Sequence, residues 1–378
     1  MPSQFNSDER LVVAMSGGVD SSVAAWMLAR EGHDLVGLFM RNGVELTEEE
    51  AGKKSCCSST DARDARMVAD GLGISFQAVD LSTEFGSLIN HFVDEYGRGR
   101  TPNPCALCNR DLKLGRLLTL ADELGAVGVA TGHYARLQVN KGRVEVRRGV
   151  DDTKDQSYQL FCVREEDLAR TVLPLGDLTK VEVRRLAEKA GLRTHHKRDS
   201  QEICFVPSND YRLLLEQRGT PLHPGELVDT ADRVLGHHKG TEHFTIGQRR
   251  GIGLGGGEPL YVVAVEPESG RVVVGSRSEC GAASMVVESL NWIGFDPPGQ
   301  GFECLVQHRY HCTPAPCRVE LDGDRAEVYF DEPEISVSPG QGAAFYHADR
   351  LLGGGWIRST VRSGTSKESL PDPSRART

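Results

Sequence analysis

The chain has 378 residues, a formal net charge of -10 and a charged fraction of 26%. This length allows two or three domains, and the acidic balance argues against broad, non-specific binding of polyanions, although a local basic groove stays compatible with it. The sequence has no apolar run near the ~20 residues of a transmembrane helix and no charged-then-apolar signal segment at its N-terminus. We therefore expect a cytoplasmic protein with no membrane partner.

The first predicted elements are a strand, a glycine turn and a helix. Residues 11–15 form a short apolar run typical of a buried strand, and a helix is predicted over about 21–30. Between them, Gly17 and Gly18 let the backbone fold back with its N–H groups pointing outward, and the helix adds the positive end of its dipole. This turn predicts a site for phosphate or pyrophosphate; the alternative is an ordinary strand–turn–helix with a capped helix start.

An acidic residue, Asp20, lies within the predicted anion site. Its carboxylate would repel phosphate unless a magnesium ion or a protonated group lay between them, so we expect a nucleotide together with Mg2+. No lysine follows the glycines, which excludes the common Gly-x-x-x-x-Gly-Lys-Ser/Thr loop. The run of residues 16–22 instead resembles the pyrophosphate loop of enzymes that split ATP into AMP and pyrophosphate to adenylate an oxygen.

Strands and helices alternate through the first half of the chain. After the loop, the patterns predict strands over 35–40, 74–79 and 127–131, helices over 62–72, 85–96, 111–124 and 180–190, and a hairpin at 136–139 and 143–147. The alternation predicts an α/β fold with a parallel sheet and helices on both faces. It also places the anion loop at the carboxyl edge of that sheet, where such folds bind ligands.

The second half of the chain is rich in short strand patterns, glycine and proline. We expect a small central β-rich domain followed by a C-terminal β-barrel, with a sandwich as the alternative for the last domain. The predicted limits are 1–210 for the nucleotide-binding domain, 211–282 for the central domain, 283–362 for the barrel and 363–378 for a disordered tail.

Three cysteines stand where they suggest chemistry. Pro102 and Pro104 predict a stiff, exposed loop, after which Cys105 and Cys108 form a Cys-x-x-Cys pair at the start of a helix, where a dipole lowers the pKa of a thiol. Such a pair is a redox couple, a reactive thiol with its neighbour, or two ligands of a metal or iron–sulfur cluster. The alternative is a pair of buried small hydrophobes. Cys204 lies among apolar residues and by itself favours the core.

The other cysteines are predicted to be structural. Cys56 and Cys57 are adjacent, which does not suit joint binding of one ion. Cys312 and Cys317 are most simply packing residues of the sheets, although they flank prolines in what we expect to be a surface loop. The remaining predicted packing residues are Cys162, Cys280 and Cys304.

The motifs follow one another in an order that resembles the bacterial tRNA-specific 2-thiouridylases, from residue 16 to about 358. The markers are residues 16–22, 39–40, 100–109, 131–135, 154–158, 199–207, 238–240 and 244–251. The resemblance implies an enzyme of the pyrophosphate-loop ATPase superfamily that uses ATP and Mg2+ to thiolate the wobble uridine of tRNA. Uridine O2 would first be adenylated, and sulfur would then be transferred to C2.

The resemblance also implies roles for individual residues. Cys108 would be the nucleophile, and Cys204 would carry the persulfide. ATP would be held by Ala14, Met15, Ser16, Gly17, Gly18, Val19, Asp20, Ser21, Met40 and Gly132, with Asp20 also a candidate ligand of Mg2+. The tRNA would be contacted by Asn103, Pro104, Cys105, His133, Lys154, Asp155, Gln156, Arg309, Tyr310 and Gln341.

One residue departs from the family pattern, since many members have Asp where this chain has Cys105. Cys105, Cys108 and Cys204 could together hold a 4Fe-4S cluster, so a persulfide route and a cluster route both stay open. By the same resemblance, the partners are the anticodon loops of Lys, Glu and Gln tRNAs. The sulfur donor would be a cysteine desulfurase or a sulfur-relay protein.

Two rival functions stay open at this point. One is another ATP-pyrophosphatase that adenylates or amidates a different substrate, and the other is a non-catalytic iron–sulfur regulator that binds RNA. RNA binding by an acidic chain requires basic side chains gathered on one face. We expect that face at Arg98, Arg100, Lys197, Arg198, Lys239, Arg249, Arg250 and Arg309.

Overall fold

The fold is that of a computed structural model, which describes residues 5–43, 59–197, 203–206, 210–255, 258–299 and 301–363. Its first strands are β1 (Arg10–Ala14), β2 (Asp34–Arg41), β3 (Ser75–Asp80), β4 (Gly128–Ala130), β5 (Ala135–Asn140), β6 (Arg143–Arg148) and β7 (Thr171–Val172). Five of them form one parallel sheet in the order β3-β2-β1-β4-β7. The central position of β1 puts the loop that follows it in the middle of the sheet edge.

Helices cover both faces of this sheet. Leu11 and Val13 of β1 pack in one apolar cluster, whereas Val12 packs on the opposite face with Leu117. Because alternate residues of a strand point to opposite faces, an all-apolar β1 requires cover on both sides. The predicted α/β fold is therefore confirmed. The helices are α1 (Val19–Glu31), α2 (Ser59–Leu72), α3 (Ser82–Gly97), α4 (Pro104–Leu107), α5 (Leu117–Glu123), α6 (Glu165–Leu168) and α7 (Lys180–Lys189).

The segment around the Cys-x-x-Cys pair differs from its predicted form. Pro102, Asn103 and Pro104 are buried, so the expectation of an exposed loop is wrong. The helix starts at Pro104, because a proline at the first helical position lacks an N–H that would be unpaired anyway. Asn103 caps it by accepting the Ala106 N–H at 3.2 Å. A π-helix over Cys108–Arg116 then leads into α5, where an ordinary helix was predicted from residue 111.

The second half of the chain supplies α8 and the remaining strands. Their bounds are α8 (Tyr211–Gln217), β8 (Gly225–Asp229), β9 (Val234–His238), β10 (Tyr261–Glu266), β11 (Arg271–Gly275), β12 (Gly281–Trp292), β13 (Phe302–Gln307), β14 (Ala315–Asp322), β15 (Arg325–Ile335), β16 (Gly342–His347) and β17 (Arg350–Arg362). Strands β8 to β11 form a small sheet of their own, in the order β10-β11-β8-β9. This sheet is the predicted central β-rich region.

The C-terminal strands close into a barrel. They pair in the order β12-β15-β14-β13-β16-β17, and β12 also pairs with β17. The predicted barrel is confirmed, and the sandwich alternative is not. The hairpin β5–β6 extends the same sheet, with Leu351 of β17 opposite Val146 of β6. A hairpin from the first half is thus continuous with the barrel, while the domain limits at 210 and 282 stay a prediction.

Some predicted features cannot be placed. Cys56, Cys57, Arg198, residues 199–202 and 207, and the tail from 364 to 378 lie outside the described residues. Cys317 is buried in β14, which confirms its predicted role as a packing residue, whereas its predicted place on a surface loop is wrong. In the described part of the chain, no helix combines the length and the apolar character that crossing a membrane requires.

Candidate active site

The turn between β1 and α1 has the geometry of an anion-binding loop. Gly18 is the N-cap of α1, and no side chain within the described ranges caps the first turn. The Ser21 hydroxyl turns back instead, accepting the Ser16 N–H at 3.1 Å and donating to the Gly18 carbonyl at 3.3 Å. The first-turn N–H groups and the positive end of the helix dipole are therefore available to an anionic ligand, because no side chain of the described residues caps them.

Two glycines allow neighbouring backbone to approach this loop. Gly17 has a φ of 73°, and a Cβ atom there would collide with the Asp61 carbonyl of α2. A Cβ on Gly132, which follows β4, would lie 2.8 Å from the Ser21 backbone nitrogen. Only glycine permits approaches this close. Gly132, a predicted ATP residue, therefore lies against the first turn of α1.

Asp20 is held by a lysine and a tyrosine. Lys180 Nζ lies 2.7 and 2.8 Å from the two carboxylate oxygens, and the Tyr134 hydroxyl donates to Oδ1 at 2.7 Å. Lys180 is the first residue of α7; its side chain is 10% exposed, whereas the Asp20 side chain is 32% exposed. The sequence predicted a magnesium ion or a protonated group between this carboxylate and a bound phosphate. The structure places one protonated group, the Lys180 ammonium, against the carboxylate.

A second lysine secures the backbone of the loop. Lys197 Nζ donates to the Gly17 carbonyl at 2.9 Å and pairs with Asp61 and Asp64 at 2.7 and 2.6 Å. Burial by itself lowers the pKa of Lys197, but the hydrogen bonds to two carboxylates outweigh it and raise the pKa above its ordinary value. The side chain is therefore charged at neutral pH, and it ties the loop to α2.

Cys108 and the segment around Cys204 meet in one apolar cluster. Cys105 is exposed, Cys108 is buried and Cys204 is half-buried. Cys108 packs in a cluster with Phe92 and Phe205, and Cys204 lies against the same cluster. The rings of Phe92 and Phe205 meet edge to face, with centroids 5.3 Å apart. The fold thus gathers the two predicted catalytic cysteines around one set of side chains.

A buried hydrogen-bond chain ties His133 to the π-helix. Thr131 Oγ1 lies 2.7 Å from His133 Nδ1, and His133 Nε2 lies 3.1 Å from Asn109 Oδ1. Since the Asn109 amide nitrogen donates to the Gln159 carbonyl at 3.1 Å, its oxygen accepts from the imidazole Nε2–H. Burial lowers the pKa of His133 well below its ordinary value, and the charge of Lys113 acts in the same direction. His133 is therefore a neutral side chain at physiological pH.

The barrel braces the start of the thiol-bearing helix. Gln341 Nε2 donates to the carbonyls of Thr101 and Pro102 at 3.0 and 2.9 Å. The Thr101 N–H donates in turn to the Pro339 carbonyl at 2.8 Å. Gln341 is 9% exposed. Its amide therefore positions the backbone just before Asn103, and its predicted contact with tRNA stays a prediction.

Asp155 and Gln156 close the turn that follows the hairpin. Asp155 Oδ1 accepts the Ser157 N–H at 3.1 Å, and Oδ2 accepts from Arg148 Nη1 at 2.9 Å. Gln156 Oε1 accepts the Tyr134 N–H at 3.0 Å. Asp155 is 7% exposed. The structure therefore gives both residues intramolecular partners, and only their predicted contact with tRNA is untested.

Arg309 and Tyr310 come from the loop between β13 and β14. Tyr310 stacks on Tyr158, with ring centroids 6.0 Å apart, and Arg309 is exposed. Burial raises the pKa of Tyr310 to about 12, and the nearby Asp155 and Cys105 act in the same direction. The barrel loop therefore reaches the neighbourhood of Cys105.

Ion pairs already engage part of the predicted basic face. Arg100 pairs with Glu95 at 2.7 Å, and Lys197 is bound at the loop as described above. Arg309 contributes an exposed cation beside Tyr310. Arg98 is exposed and pairs with the same Glu95 at 3.5 Å. The other exposed members of the predicted face are Arg249, Arg250 and Lys239.

Comparisons with known proteins agree with this architecture. Residues 9–208, 214–276 and 282–357 match family descriptions that read tRNA methyl transferase HUP domain, tRNA methyl transferase PRC-barrel domain and aminomethyltransferase β-barrel domain. A tRNA-specific 2-thiouridylase MnmA of Geobacter metallireducens is 49% identical over 364 residues, covering 94% of this chain and 98% of that protein. The chain belongs to the tRNA-specific 2-thiouridylase family.

Other similar proteins extend the comparison. A 2-thiouridylase of the same name from Rhodopirellula baltica is 42% identical, covering 93% of this chain and 97% of the relative. Among solved structures, a 4-thiouridine synthetase in complex with RNA and ATP has a TM-score of 0.35 at 17% identity, covering 56% of this chain and 50% of that chain.

Sequence reasoning on this family member missed several residues of the site. It named neither Lys180 nor Tyr134 for the contact with Asp20, and it did not connect Asn109 to His133. The lysine is 160 residues from Asp20 along the chain, so no local spacing could pair them. Tyr134 and Asn109 lie within the sequence markers at residues 131–135 and 100–109, and this position could have indicated a role in the site. Met15 is a core residue, and Met40 is half-buried at the end of β2.

Proposed function

We propose that the chain is a tRNA-uridine 2-sulfurtransferase that uses ATP to replace O2 of the wobble uridine with sulfur. The observation that carries the proposal is that one fold contains both an anion loop beside Asp20 and two thiols, Cys108 and Cys204, around a single cluster. The first part can activate an oxygen with ATP, and the second can deliver sulfur. The name of the similar proteins, tRNA-specific 2-thiouridylase, supports the same reaction.

The loop would act as the activating half of the site. Attack of uridine O2 on the α-phosphorus of ATP releases pyrophosphate and leaves AMP on the oxygen, which turns a poor leaving group into a good one. The loop N–H groups would bind the departing pyrophosphate. Asp20 suits a shared Mg2+, because proteins hold this ion by one or two carboxylates plus substrate phosphates, and the ion when bound neutralises phosphate charge. Lys180 orients the Asp20 carboxylate, and Lys197 keeps the loop in place.

The cysteines would act as the sulfur half. A terminal persulfide sulfur on Cys204 attacks C2 of the adenylated uridine, AMP leaves, and a Cys204–S–S–C2 adduct forms. The Cys108 thiolate then attacks Cys204 Sγ, forming a Cys108–Cys204 disulfide and releasing 2-thiouridine as its thiolate. The two electrons that reduce the adduct come from Cys108, and an external thiol restores the cysteines. Packing around the same cluster supports this partnership.

The three cysteines as they lie do not form a metal-binding group. Across the described ranges, no three His, Cys, Asp or Glu side chains are grouped so that they could hold a metal ion. Cys105 is also exposed while Cys108 is buried. We therefore derive no step through a 4Fe-4S cluster. Active protein purified without oxygen should contain no stoichiometric iron or sulfide, and a requirement for iron would replace the persulfide route.

The target base would be presented by a single-stranded loop. A uridine stacked in a duplex cannot reach an enzyme pocket, whereas an anticodon-loop base can be splayed out at low cost. Exposed Arg309 beside the stacked Tyr310 is suited to an RNA backbone near Cys105. We propose the anticodon loops of Lys, Glu and Gln tRNAs as substrates, and a cysteine desulfurase or sulfur-relay protein as the donor.

The deciding experiment is nucleoside mass spectrometry. Unmodified tRNA is incubated with the full chain, ATP, Mg2+ and a sulfur donor, digested, and analysed for 2-thiouridine. Appearance of 2-thiouridine together with equimolar AMP supports the proposal. A methylated nucleoside, which the matched family descriptions would suggest, or ATP cleavage without any change in the tRNA would overturn it. Binding of tRNA should weaken with salt, with a logarithmic slope of about -0.7 to -0.9 per phosphate contact.

A further inference from the structure

Two cysteines lie face to face in the C-terminal barrel. Cys304 of β13 stands directly opposite Cys317 of β14, and their Sγ atoms are 3.6 Å apart. Opposed residues of antiparallel strands have Cα atoms about 4.5–5.5 Å apart, which lies within the range of disulfide-bonded cysteines. Both side chains contact the barrel core; Cys317 is 2% exposed and Cys304 is half-buried.

We propose that Cys304 and Cys317 are a disulfide-forming site that closes the base of the loop formed by residues 308–314. This loop carries Arg309 and Tyr310, and Tyr310 stacks on Tyr158 of the first half of the chain. A bond between β13 and β14 restricts the separation of the two strands from which the loop projects. The redox state of the barrel is thereby connected to the segment that reaches the neighbourhood of Cys105.

The pair differs from two other buried thiols of the chain. Cys162 Sγ donates to the Ala106 carbonyl at 3.4 Å, and Cys280 Sγ donates to the Val262 carbonyl at 3.7 Å. Each of these thiols therefore donates its weak hydrogen bond to a backbone carbonyl oxygen. In the barrel pair, the thiol of one cysteine is hydrogen-bonded to the sulfur of the other. Two sulfur atoms in this arrangement need the least movement to form a covalent bond.

The disulfide forms by thiol–disulfide exchange, with a low-molecular-weight disulfide as the oxidant. The hydrogen bond to Cys304, together with burial, raises the pKa of Cys317, so the proton stays on Cys317 and the more exposed sulfur reacts first. The Cys304 thiolate attacks the reagent and releases one thiolate, leaving a mixed disulfide. Cys317 then attacks Cys304 Sγ and releases the second thiolate. Two electrons pass to the reagent, and the two cysteine protons end on the two released thiols.

The bond is tested by peptide mapping of the oxidised full chain. The chain is treated with oxidised glutathione, alkylated and digested with trypsin without reduction. Tryptic peptides 278–309 and 310–318 contain Cys304 and Cys317, but also Cys280 and Cys312. A Cys280→Ala, Cys312→Ser background leaves one thiol in each peptide, so a cross-linked pair identifies the bond. Adding Cys304→Ser to this background should abolish the cross-link.

The result expected is a cross-linked peptide pair that dithiothreitol releases, and an upward shift of the unfolding temperature on oxidation. Trypsin cleavage of the native chain after exposed Arg309 should also slow, while cleavage after exposed Arg249 is unchanged. Recovery of Cys304 as a thiol, as a glutathione adduct, or bonded to Cys312 in the unmodified chain would overturn the proposal. None of these outcomes depends on tRNA thiolation, so the test is separate from that of the proposed function.

Discussion

The nucleotide loop and the thiol helix are held in place by different forces. At the loop, Lys180 pairs with Asp20 and Lys197 pairs with Asp61, each with a nitrogen–oxygen distance of 2.7 Å. At the thiol helix, Cys108 lies in an apolar cluster, and the backbone before Asn103 is braced by neutral hydrogen bonds such as that from Gln341 to the Pro102 carbonyl. The loop is fixed by ion pairs, whereas the thiol helix is fixed mainly by packing and amide contacts, together with the Arg100–Glu95 ion pair in the segment before it.

This difference predicts different sensitivities. A site that binds polyphosphate needs cations, and cations placed beside carboxylates are already oriented before the ligand arrives. A site that handles sulfur anions gains from a half-buried setting in which water is scarce. Changes of charge should therefore act on ATP binding, whereas changes in the thiol half should act on sulfur transfer with ATP binding intact.

The largest expected effect is that of removing the sulfur carrier. Cys204→Ser should abolish 2-thiouridine formation, because a serine hydroxyl cannot carry a persulfide. ATP affinity should stay within about twofold, since a substitution in the thiol half leaves the ion pairs of the loop in place. Nucleoside mass spectrometry and equilibrium ATP binding measure the two quantities. Cys280→Ala is the matched control and should retain activity; thiolation by the Cys204→Ser chain would contradict the assigned role.

The next effect tests the charged half. Lys180→Met removes the cation that neutralises Asp20 and leaves an unpaired carboxylate beside the phosphate site. Loss of this partly buried ion pair should weaken the free energy of ATP binding by about 1–3 kcal/mol. ATP affinity should fall by a factor on the order of 10 to 100, with and without Mg2+. Tyr134→Phe removes a single hydrogen bond to Asp20 and should cost less. Exposed Lys189 of the same helix supplies the control, Lys189→Met. Equal ATP affinity for both lysine variants would contradict an electrostatic role for Lys180.

Local sequence patterns predicted the parts of the fold that depend on local physics. The apolar run of β1, the glycine turn and the alternation of strands and helices each follow from a few adjacent residues, and the structure confirms the α/β fold and the barrel. The pairing of β6 with β17 was not predictable, because the register joins residues such as Val146 and Leu351 that are far apart in the chain. The π-helix after Cys108 likewise has no local signature in these residues.

The site was predictable in its parts but not in its connections. The loop and the cysteines were found from motifs, and the structure places Cys108 and Cys204 around one cluster. The partners of Asp20 were missed because Lys180 comes from a helix whose position depends on the folded sheet. The burial of Pro102 and Pro104 was missed for a related reason. Prolines indicate a loop unless long-range contacts are known, such as the hydrogen bond from Gln341 to the Pro102 carbonyl.

A smaller effect is expected from the amide brace of the thiol half. Gln341→Ala removes two hydrogen bonds to the backbone before Asn103, each worth about 0.5–1.5 kcal/mol. The rate of thiolation should fall by roughly tenfold because the thiol helix is less well positioned, while ATP affinity is unchanged. Gln217→Ala, on the exposed face of α8, is the control. If Gln341→Ala weakened ATP binding as much as sulfur transfer, the two halves would not be separately supported.

The smallest expected effect concerns Glu165, whose charge is remote from the nucleotide loop. Changing it should alter the stability of the fold and leave ATP binding unchanged. Glu165 accepts from Arg143 at 2.7 Å and from the Gly294 N–H at 3.1 Å, which ties the hairpin to the segment after β12. The hydrogen bonds from Arg143 lower the pKa of Glu165 to about 2, although burial opposes the shift.

Since its folded pKa is below the unfolded value of 4.5, Glu165 stabilises the fold above that value, and this contribution is lost as the pH falls toward about 2. Glu165→Gln should therefore lower the unfolding temperature near neutral pH, and the difference from the unmodified chain should vanish in strong acid. ATP affinity should not change. Glu166→Gln, beside it on an exposed ion pair, should have almost no effect at any pH. If Glu165→Gln lowered the unfolding temperature equally at every pH, the Glu165 side chain would act through packing rather than charge. Stabilisation by charge would then be a property of the nucleotide loop alone.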